Sequence, residues 1–374
     1  MALFLKRKKK SFADSCWLLG FWFLVNERPA TNNKQLTINN YQIMKRILSC
    51  IQPTGDLHLG NYFGAVKNWV DLQNNYKCFY GVVDNHSMTA PYVAESLRAN
   101  TWKMAFQLLA AGIKPENLFI QSLIPEHTEL CWILSCVTSM GELSKMTQFK
   151  DKRDQIESSD KQAFISSGLF FYPVLQAADI LIYKADYVPI GKDQEQHLEL
   201  SRNIAARFNF QFGKEYFVHP EPLFTDIPKL LSPADPTKKM SKSLGEKHYI
   251  NLFGDAEFIK KQIKSAVTDS GEKVHGEIAP GVQNLFTLLK ACGKSDLVPN
   301  FTAQYQSGII RYSELKGAVT EAVLELVTPF KERLSHIEHN SEETKEIIRD
   351  NSAKIRETAR ETLREVKDIV GLLQ

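Results

Sequence analysis

A histidine followed closely by a glycine marks the first segment that could do chemistry. The stretch Pro53-Thr54-Gly55-Asp56-Leu57-His58-Leu59-Gly60-Asn61 follows a strand-like run and opens a helical pattern. Gly60 lets a ligand approach the backbone, and the free N–H groups of a helix start suit phosphate or adenosine oxygens. His58 can donate a hydrogen bond to a phosphate oxygen. The alternative for such a histidine, taken alone, is a solvated capping residue.

A second segment, Lys238-Lys239-Met240-Ser241-Lys242-Ser243, lies in a loop flanked by prolines. Lysines on a mobile loop can close over a triphosphate and favour the leaving pyrophosphate as its charge develops. A solvated basic loop is the alternative for an isolated lysine-rich hexamer. The first strand–helix turn carries neither a GxxxxGK[ST] phosphate loop nor a GxGxxG fingerprint. These two segments are therefore the candidates for a nucleotide site.

Alternating strands and helices must position these segments. Apolar runs and helical periodicity predict strands at 47–51, 79–83, 118–120 and 187–190, and helices at 60–74, 95–111, 126–146, 172–183 and 193–208. The charged segment 149–167 is expected to be a mobile surface connection, and the proline-rich stretch after the last helix a loop. This order predicts βαβ units and a right-handed parallel sheet.

The character of the chain changes after Lys247, where helical patterns follow one another without strand alternation. The apolar residues Ile348, Ile355, Ala359, Leu363, Val366 and Val370 form one face of a final helix. We therefore predict an α/β, Rossmann-like catalytic domain at 44–237, followed by the lysine loop and an all-helical domain at 238–374.

Residues 1–43 are predicted to be a poorly ordered N-terminal extension. A basic run at Lys6–Lys10 precedes an apolar run at Cys16–Val25, which is too short to span a bilayer. A targeting segment is one interpretation. We favour the other, an over-long gene start, because Met44 stands directly before the first strand.

Composition excludes little. The chain of 374 residues has 46 Lys+Arg against 43 Asp+Glu, a net charge of +3, so a local basic stripe on a near-neutral protein could still hold a nucleic acid. The six cysteines show no CxxC spacing, which indicates reduced thiols in a cytoplasmic protein rather than a metal site.

The histidine–glycine turn and the KMSKS sequence Lys239–Ser243 together are the signature pair of class I aminoacyl-tRNA synthetases. From Met44 onward the chain resembles tryptophanyl-tRNA synthetases of the bacterial and mitochondrial type. The phrases that carry this resemblance are Ser49–Gly55, Met146–Lys150, Tyr172–Leu181 and Asp193–His197.

The resemblance implies a pocket for an indole, with apolar walls and one acceptor for the indole N–H. Asp179 matches the family's indole-binding carboxylate, although a capping or surface carboxylate is the alternative. Tyr172, Gln176 and Gln194 are candidates for the substrate ammonium, and His86 for the neighbourhood of its carboxylate, unless it is a structural loop histidine. The predicted tryptophan-binding residues are Leu48, Cys50, His86, Tyr172, Gln176, Asp179, Val188 and Gln194, with Ile180 and Ile190 as further walls.

The resemblance also implies an ATP site. Its predicted residues are Gln52, Pro53, Thr54, Gly60, Asn61, Ile190, Gly191, Lys192, Asp193, Lys239, Met240, Ser241, Lys242 and Ser243. The predicted catalytic residues are His58, Lys152, Lys239 and Lys242, although Lys152 could be a solvated charge. Mg²⁺ is expected to be held by the triphosphate rather than by a protein cage.

The implied reaction joins the tryptophan carboxylate to the α-phosphorus of ATP and then passes the amino acid to the 2′-hydroxyl of tRNA(Trp). The implied partners are L-tryptophan, ATP, tRNA(Trp) and a second copy of the chain, without a membrane. Three positions depart from the family: Cys50 replaces a common glycine, Lys192 a usual acidic residue, and Leu244 follows KMSKS where an acidic residue is common.

Three rival interpretations remain. A tyrosine synthetase would need a Tyr–Asp arrangement suited to a phenol. A nucleotidyltransferase would share the histidine–glycine turn without the long helical domain. A synthetase-like RNA-binding protein without activity would be expected to lack His58, Lys239 or Lys242, and all three are present.

Overall fold

The computed structural model describes residues 44–159, 164–191, 194–224, 228, 230–269 and 278–373, without the side chains at 152, 155–157 and 159. The extension predicted for 1–43 and the ATP-site candidates Lys192 and Asp193 lie outside the described residues. Residues Met44–Gln374 form one compact unit. The predicted boundary at residue 237 stays a prediction.

A parallel sheet forms the centre of the described part of the chain. Its strands are β1 (Arg46–Ile51), β2 (Lys77–Val82), β3 (Leu118–Ile120), β4 (Tyr187–Pro189) and β5 (Glu221–Leu223), in the order β3-β2-β1-β4-β5. In its register, Arg46 pairs with Lys77, Ile51 with Val82, and Ile47 with Tyr187. The chain order reverses at β1, so a crevice is expected outside the carboxyl ends of β1 and β4.

Apolar runs form the inner strands because helices cover both faces of the sheet. The four predicted strands and the Rossmann-like class are confirmed. The prediction that 187–190 is the last strand is wrong, because Glu221–Leu223 adds β5 at the edge. Pro222 does not prevent this pairing, since an edge strand tolerates a residue without an N–H donor.

Helices from both sides of the lysine loop (Lys238–Ser243) in the chain surround the sheet. Those before it are α1 (Leu59–Asn61), α2 (Lys67–Leu72), α3 (Asp84–Ser87), α4 (Ala94–Ala110), α5 (Glu126–Ser135), α6 (Met140–Leu143), α7 (Thr147–Ser159), α8 (Ser167–Ile182) and α9 (Glu195–Phe212). Those after it are α10 (Ala256–Lys264), α11 (Pro280–Ala291), α12 (Val298–Gln306), α13 (Tyr312–His339) and α14 (Ser341–Val370). A π-helical segment at Tyr62–Val66 joins α1 to α2.

Two predicted segments, one connection and one helix, differ from the structure. The segment 149–167, predicted to be a mobile surface connection, is helical in its first part, because α7 covers Thr147–Ser159, and residues 160–163 lie outside the described residues. This stretch is rich in Lys, Arg, Gln and Glu, which are good helix formers even without an apolar stripe. The helix predicted over 126–146 is broken into α5 and α6 by the turn after Cys136.

The helical part of the chain packs back onto the sheet. Ser352 of α14 accepts a hydrogen bond at its Oγ from the backbone N of Ile120, at 3.3 Å. Arg356 of the same helix donates to both carboxylate oxygens of Glu126 on α5, at 2.8 and 2.9 Å. Among the described residues, no helix is both long and apolar enough to cross a bilayer.

Candidate active site

Three adjoining cavities open at the carboxyl edge of β1 and meet at Gln52. We name them the amino-acid cavity, the side cavity and the nucleotide cavity, with volumes of about 440, 510 and 550 Å³. Gln52 lines all three, and His86 lines the first two. The histidine–glycine turn and the lysine loop both line the nucleotide cavity, through His58 and Lys242.

The amino-acid cavity gathers every predicted tryptophan-binding residue. Its lining includes Leu48, Cys50, Gln52, His86, Tyr172, Gln176, Asp179, Ile180, Val188, Ile190, Gly191 and Gln194. Apolar side chains from β1, α8 and β4 make up its walls, because Leu48, Ile180 and Val188 are all buried. A flat apolar ligand with one hydrogen-bond donor fits such a lining.

Asp179 is the charged group at the apolar end of this cavity. Its side chain is buried, with the residue only 2% exposed. His127 Nδ1 and Gln121 Nε2 contact Oδ1 at 2.7 and 2.6 Å, and His86 Nε2 contacts Oδ2 at 2.8 Å. Burial raises the pKa of Asp179, but hydrogen bonds from His127 and His86 outweigh it and lower the pKa to about 2. Asp179 is therefore a carboxylate at neutral pH, with one contact on Oδ2 and room for a further donor.

Gln121, His127 and Tyr183 belong to this network and were missed by the sequence analysis. The second nitrogen of His127, Nε2, lies 2.8 Å from the hydroxyl of Tyr183. Both residues are fully buried. Of these three residues, only Gln121 had a signal in the sequence. It directly follows β3, and polar residues at the carboxyl ends of parallel strands often line such sites.

Tyr172, Gln176 and Gln194 stand on another wall of the amino-acid cavity. Gln176 Nε2 and Gln194 Oε1 are 3.5 Å apart. The hydroxyl of Tyr172 lies 2.9 Å from His197 Nε2. The structure therefore brings the three residues to one cavity, and their contact with a ligand ammonium stays a prediction.

Cys50 contributes a thiol to the floor of the cavity. Its register partner is Gly81, and a Cβ at residue 81 would meet Cys50 Sγ at 2.9 Å and the ring of Phe119 at 2.7 Å. Gly81 therefore provides the space that the thiol and the ring occupy. Burial, and then the charge of Asp179, raise the pKa of Cys50 well above its usual range, so the group is a neutral thiol.

His58 begins the first helix of the nucleotide cavity and has a fixed ring orientation. Its Nδ1 accepts from the N–H of Asn61 at 3.3 Å, and Asn61 Oδ1 accepts from the N–H of His58 at 3.2 Å. This reciprocal cap leaves the proton on Nε2 as a donor. Burial, followed by the charges of Lys242 and Lys239, lowers the pKa of His58 to about 4. His58 is thus both a cap and a neutral hydrogen-bond donor.

Gly60 has a structural role in addition to the predicted one. A Cβ at residue 60 would lie 2.9 Å from the ring of His58 and 3.3 Å from Cβ of Met240. The absence of a side chain therefore makes room for two protein groups. That Gly60 also admits a ligand stays a prediction.

Lys242 connects the lysine loop to the turn after β1. Its Nζ donates to the carbonyls of Thr54 and Asp56 at 3.0 and 2.7 Å. Burial lowers its pKa. Gly55 lies beneath it with a φ of +98°, a conformation that favours glycine.

Backbone pairing holds the turn and the loop together. The N–H of Leu59 donates to Ile250 O, and that of Leu252 donates to Leu57 O, both at 2.9 Å. At the base of the loop, Asn284 of α11 bonds both backbone groups of Leu231, at 2.9 and 3.0 Å. The helical part of the chain thus fixes the base of the lysine loop.

The remaining predicted ATP residues have diverse environments. Met240 is buried, Lys239 is exposed, and Ser241 and Ser243 share a hydrogen bond of 2.9 Å. Pro53 and Thr54 line the side cavity, and Ile190 and Gly191 the amino-acid cavity. The backbone of Lys152 lies in α7, and its side chain is among those not described.

Solved structures of known function resemble this chain over most of its length. Tryptophanyl-tRNA synthetase from Campylobacter jejuni, in complex with ADP and tryptophan, has a TM-score of 0.74 and 35% identity, and covers 87% of this chain and 100% of its own. The enzyme from Mycoplasma pneumoniae has a TM-score of 0.76 and 34% identity, covering 88% of this chain and 99% of its own.

Sequence comparison agrees. A tryptophan–tRNA ligase of Streptomyces avermitilis is 44% identical over 337 residues, which cover 88% of this chain and 97% of the relative. The family profile of the class I tRNA synthetases for tryptophan and tyrosine (W and Y) matches residues 43–328. The chain therefore belongs to the class I tRNA synthetases.

Proposed function

We propose that this enzyme is a tryptophan–tRNA ligase, which activates L-tryptophan with ATP and transfers it to tRNA(Trp). The observation that carries the proposal is the buried carboxylate of Asp179 at the apolar end of a cavity that meets the nucleotide cavity at Gln52. Relatives that cover most of the chain are described as tryptophan–tRNA ligases. A relative bound to ADP and tryptophan also supports a site for both ligands.

The amino acid is selected through the single hydrogen-bond donor of the indole ring. The indole N–H can only donate, and Oδ2 of Asp179 has capacity for a donor besides His86. A smaller or purely apolar side chain would leave this buried charge with one partner fewer, which is costly. The apolar walls at Leu48, Ile180 and Val188 then bind the ring faces.

Activation needs positioning and charge stabilisation rather than a protein nucleophile. The tryptophan carboxylate attacks the α-phosphorus of ATP, the bond from that phosphorus to its bridging oxygen breaks, and pyrophosphate leaves with the electron pair. We assign His58 Nε2–H to a phosphate oxygen, and Lys239, Lys242 and Lys152 to the negative charge of the leaving group. ATP enters as its magnesium complex, with the metal on the phosphates.

Transfer to RNA is the second step. The 2′-hydroxyl of the terminal adenosine attacks the carbonyl carbon of tryptophanyl-adenylate, and AMP leaves. We propose that the helical part of the chain contacts the anticodon, whose unstacked bases offer edges and ring faces for recognition. The cytoplasmic location stays a prediction.

We further infer that the enzyme is a homodimer with its interface on the α/β part. Trp132 on α5 and Met140 on α6 are 72% and 65% exposed, and both lie in the α/β part, so they are our candidates for this interface. In sedimentation velocity, Trp132→Glu should shift the protein from dimer to monomer. Ile309→Glu, at an exposed site of the helical part, should not. A wild-type monomer at micromolar concentration would contradict the inference.

Amino-acid-dependent ATP–pyrophosphate exchange tests the proposed function. The purified chain is assayed with each of the twenty amino acids, and exchange above background is expected with tryptophan alone. Exchange with tyrosine would favour the tyrosine enzyme. Exchange with none would favour an RNA-binding protein without activity. Charging of tRNA(Trp) by the same preparation tests the second step.

A further inference from the structure

We infer that His197 is a positioning residue, which makes the hydroxyl of Tyr172 a hydrogen-bond acceptor for the ammonium group of tryptophan. The inference rests on the proposed function, because it concerns the recognition of that substrate. It assigns a role to a residue that lies outside the lining of the amino-acid cavity.

Contact between the two residues is close and sheltered from solvent. The Tyr172 hydroxyl and His197 Nε2 are 2.9 Å apart, and their ring centroids 5.4 Å. Tyr172 is 7% and His197 1% exposed. Tyr172 lines the cavity and His197 does not, so we place the effect of His197 on a ligand in its contact with Tyr172.

Two rigid elements hold this pair. Tyr172 lies within α8, and His197 within the first turn of α9. The hydroxyl of Ser201, also fully buried, donates to the carbonyl of His197 at 2.9 Å. The imidazole is therefore placed by packed helices rather than by a loop, as a precise site requires.

The direction in which the phenol proton of Tyr172 points determines whether its hydroxyl is a donor or an acceptor towards the cavity. Burial raises the pKa of Tyr172 to about 12, so the hydroxyl keeps its proton at neutral pH. If that proton is donated to His197 Nε2, the phenol oxygen can act towards the cavity only as an acceptor. If His197 Nε2 carried the proton instead, the phenol would donate towards the ligand.

An ammonium group has three donors and no acceptor, so only the first arrangement suits tryptophan. This arrangement requires the ring proton of His197 to be on Nδ1, so that Nε2 accepts from the phenol. Gln176 and Gln194, on the same cavity, supply further carbonyl acceptors. Without His197, the hydroxyl of Tyr172 could either donate to the ligand or accept from it. With His197 as its partner, the hydroxyl is fixed as an acceptor.

Calorimetric binding to the full chain can isolate this role. The two probes are L-tryptophan and indole-3-propionate, which keeps the indole and the carboxylate but lacks the ammonium. His197→Leu should weaken tryptophan about 10-fold, the effect of losing one hydrogen bond to a charged group. Its affinity for indole-3-propionate should change less than about 2-fold, since that ligand makes no such bond.

A double-variant cycle and a conservative variant complete the test. Tyr172→Phe should show the same selectivity, and adding His197→Leu to it should cause no further loss, because both act through one hydroxyl. His197→Gln should recover much of the tryptophan affinity, since its carbonyl can accept the phenol proton.

Three results would each overturn the inference. His197→Leu could weaken the binding of both ligands equally, or leave the affinity for tryptophan unchanged. The losses of affinity in the two single variants could also multiply in the double variant. If His197→Leu does not fold, the ratio of the two affinities in His197→Gln and Tyr172→Phe decides in the same way. A wild-type chain that binds no tryptophan would overturn the proposed function itself, which is a different result.

Discussion

At the scale of single residues, Asp179 combines a charge with deep burial. Three side chains from different elements, Gln121, His127 and His86, contact its two oxygens. A buried carboxylate needs such partners because its desolvation is expensive. The same partners orient it, so in our proposal the amino acid is selected by a group with little freedom to move.

Asp179→Asn should raise the KM for tryptophan by about 10- to 100-fold, because a charged acceptor for the indole N–H is lost. The Kd for ATP should change less than about 2-fold, since Asp179 does not line the nucleotide cavity. Exchange kinetics and ATP binding measure the two effects. Equal losses of tryptophan and ATP binding would instead indicate a folding role for Asp179.

His58 should make stability depend on pH. Its pKa falls from 6.5 to about 4 on folding, so between these values the unfolded chain binds a proton that the folded chain does not. The free energy of unfolding therefore falls as the pH falls through this window, by on the order of 2 kcal/mol from this group. Above pH 6.5 the contribution is constant, because the histidine is neutral in both states.

Denaturant unfolding at about pH 7.5 and about pH 4.5 tests this prediction. His58→Asn keeps a good helix cap but removes the titrating group. The wild type should lose more stability between the two pH values than this variant does. Equal losses would show that His58 titrates normally in the folded chain.

Some residues of the candidate site could be predicted from the sequence, and others could not. His58 and Lys242 could be predicted because each lies in a short motif with a mechanism. His127 and His197 could not, because each is a single polar residue within an otherwise helical pattern. Their roles arise from contacts with Asp179 and Tyr172, far along the chain, and no local spacing records such contacts.

At the scale of elements, the lysine loop should act on the reaction more than on amino-acid binding. Lys242→Ala should lower the kcat of exchange by about 100-fold, since a group that meets developing charge is lost. The KM for tryptophan should stay within about 2-fold. Lys238→Ala, in the same loop but paired with Asp235, is the control and should have little effect. A large loss in both variants would contradict a specific role for Lys242.

Two helical glycines should respond oppositely to alanine. In α11, a Cβ at Gly281 would meet the carbonyl oxygen of Val267 at 2.2 Å, so Gly281→Ala should destabilise the fold by about 2 kcal/mol. In α13, nothing lies within 4 Å of such a Cβ at Gly317. Gly317→Ala should therefore stabilise by roughly 0.5–1 kcal/mol through helix propensity. Denaturant unfolding measures both, and a neutral Gly281→Ala would contradict the close approach.

Element prediction succeeded where burial imposes a pattern and failed where it does not. β1 to β3 and α4 are apolar or periodic because they form the core. β5 contains Pro222 at an edge, where pairing depends on the neighbouring strand rather than on local sequence. The polar helix α7 has no apolar stripe to reveal it, so its composition resembled that of a loop.

At the scale of the whole molecule, α14 connects the helical part to α5, whose His127 contacts Asp179 in the amino-acid cavity. Arg356→Met would leave the buried carboxylate of Glu126 with only the more distant Arg360, 3.5 Å away. We expect a loss of about 2 kcal/mol in the free energy of unfolding. Lys354→Met, at an exposed site of the same helix, should change it by less than about 0.5 kcal/mol. Equal stabilities of the two variants would show that the Arg356 pair contributes nothing.

From the position of α14 at the end of the chain, we expect an effect on how the enzyme matures on the ribosome. Glu126, which α14 contacts, directly precedes His127, one of the partners of Asp179. The strands and α5 are translated long before residue 341, so a nascent chain carries Asp179 and its partners before it has the helix that covers β3 and α5. Ligand recognition should therefore mature late, when α14 has left the exit tunnel and docked, and ribosome-bound chains shorter than this should be dependent on chaperones.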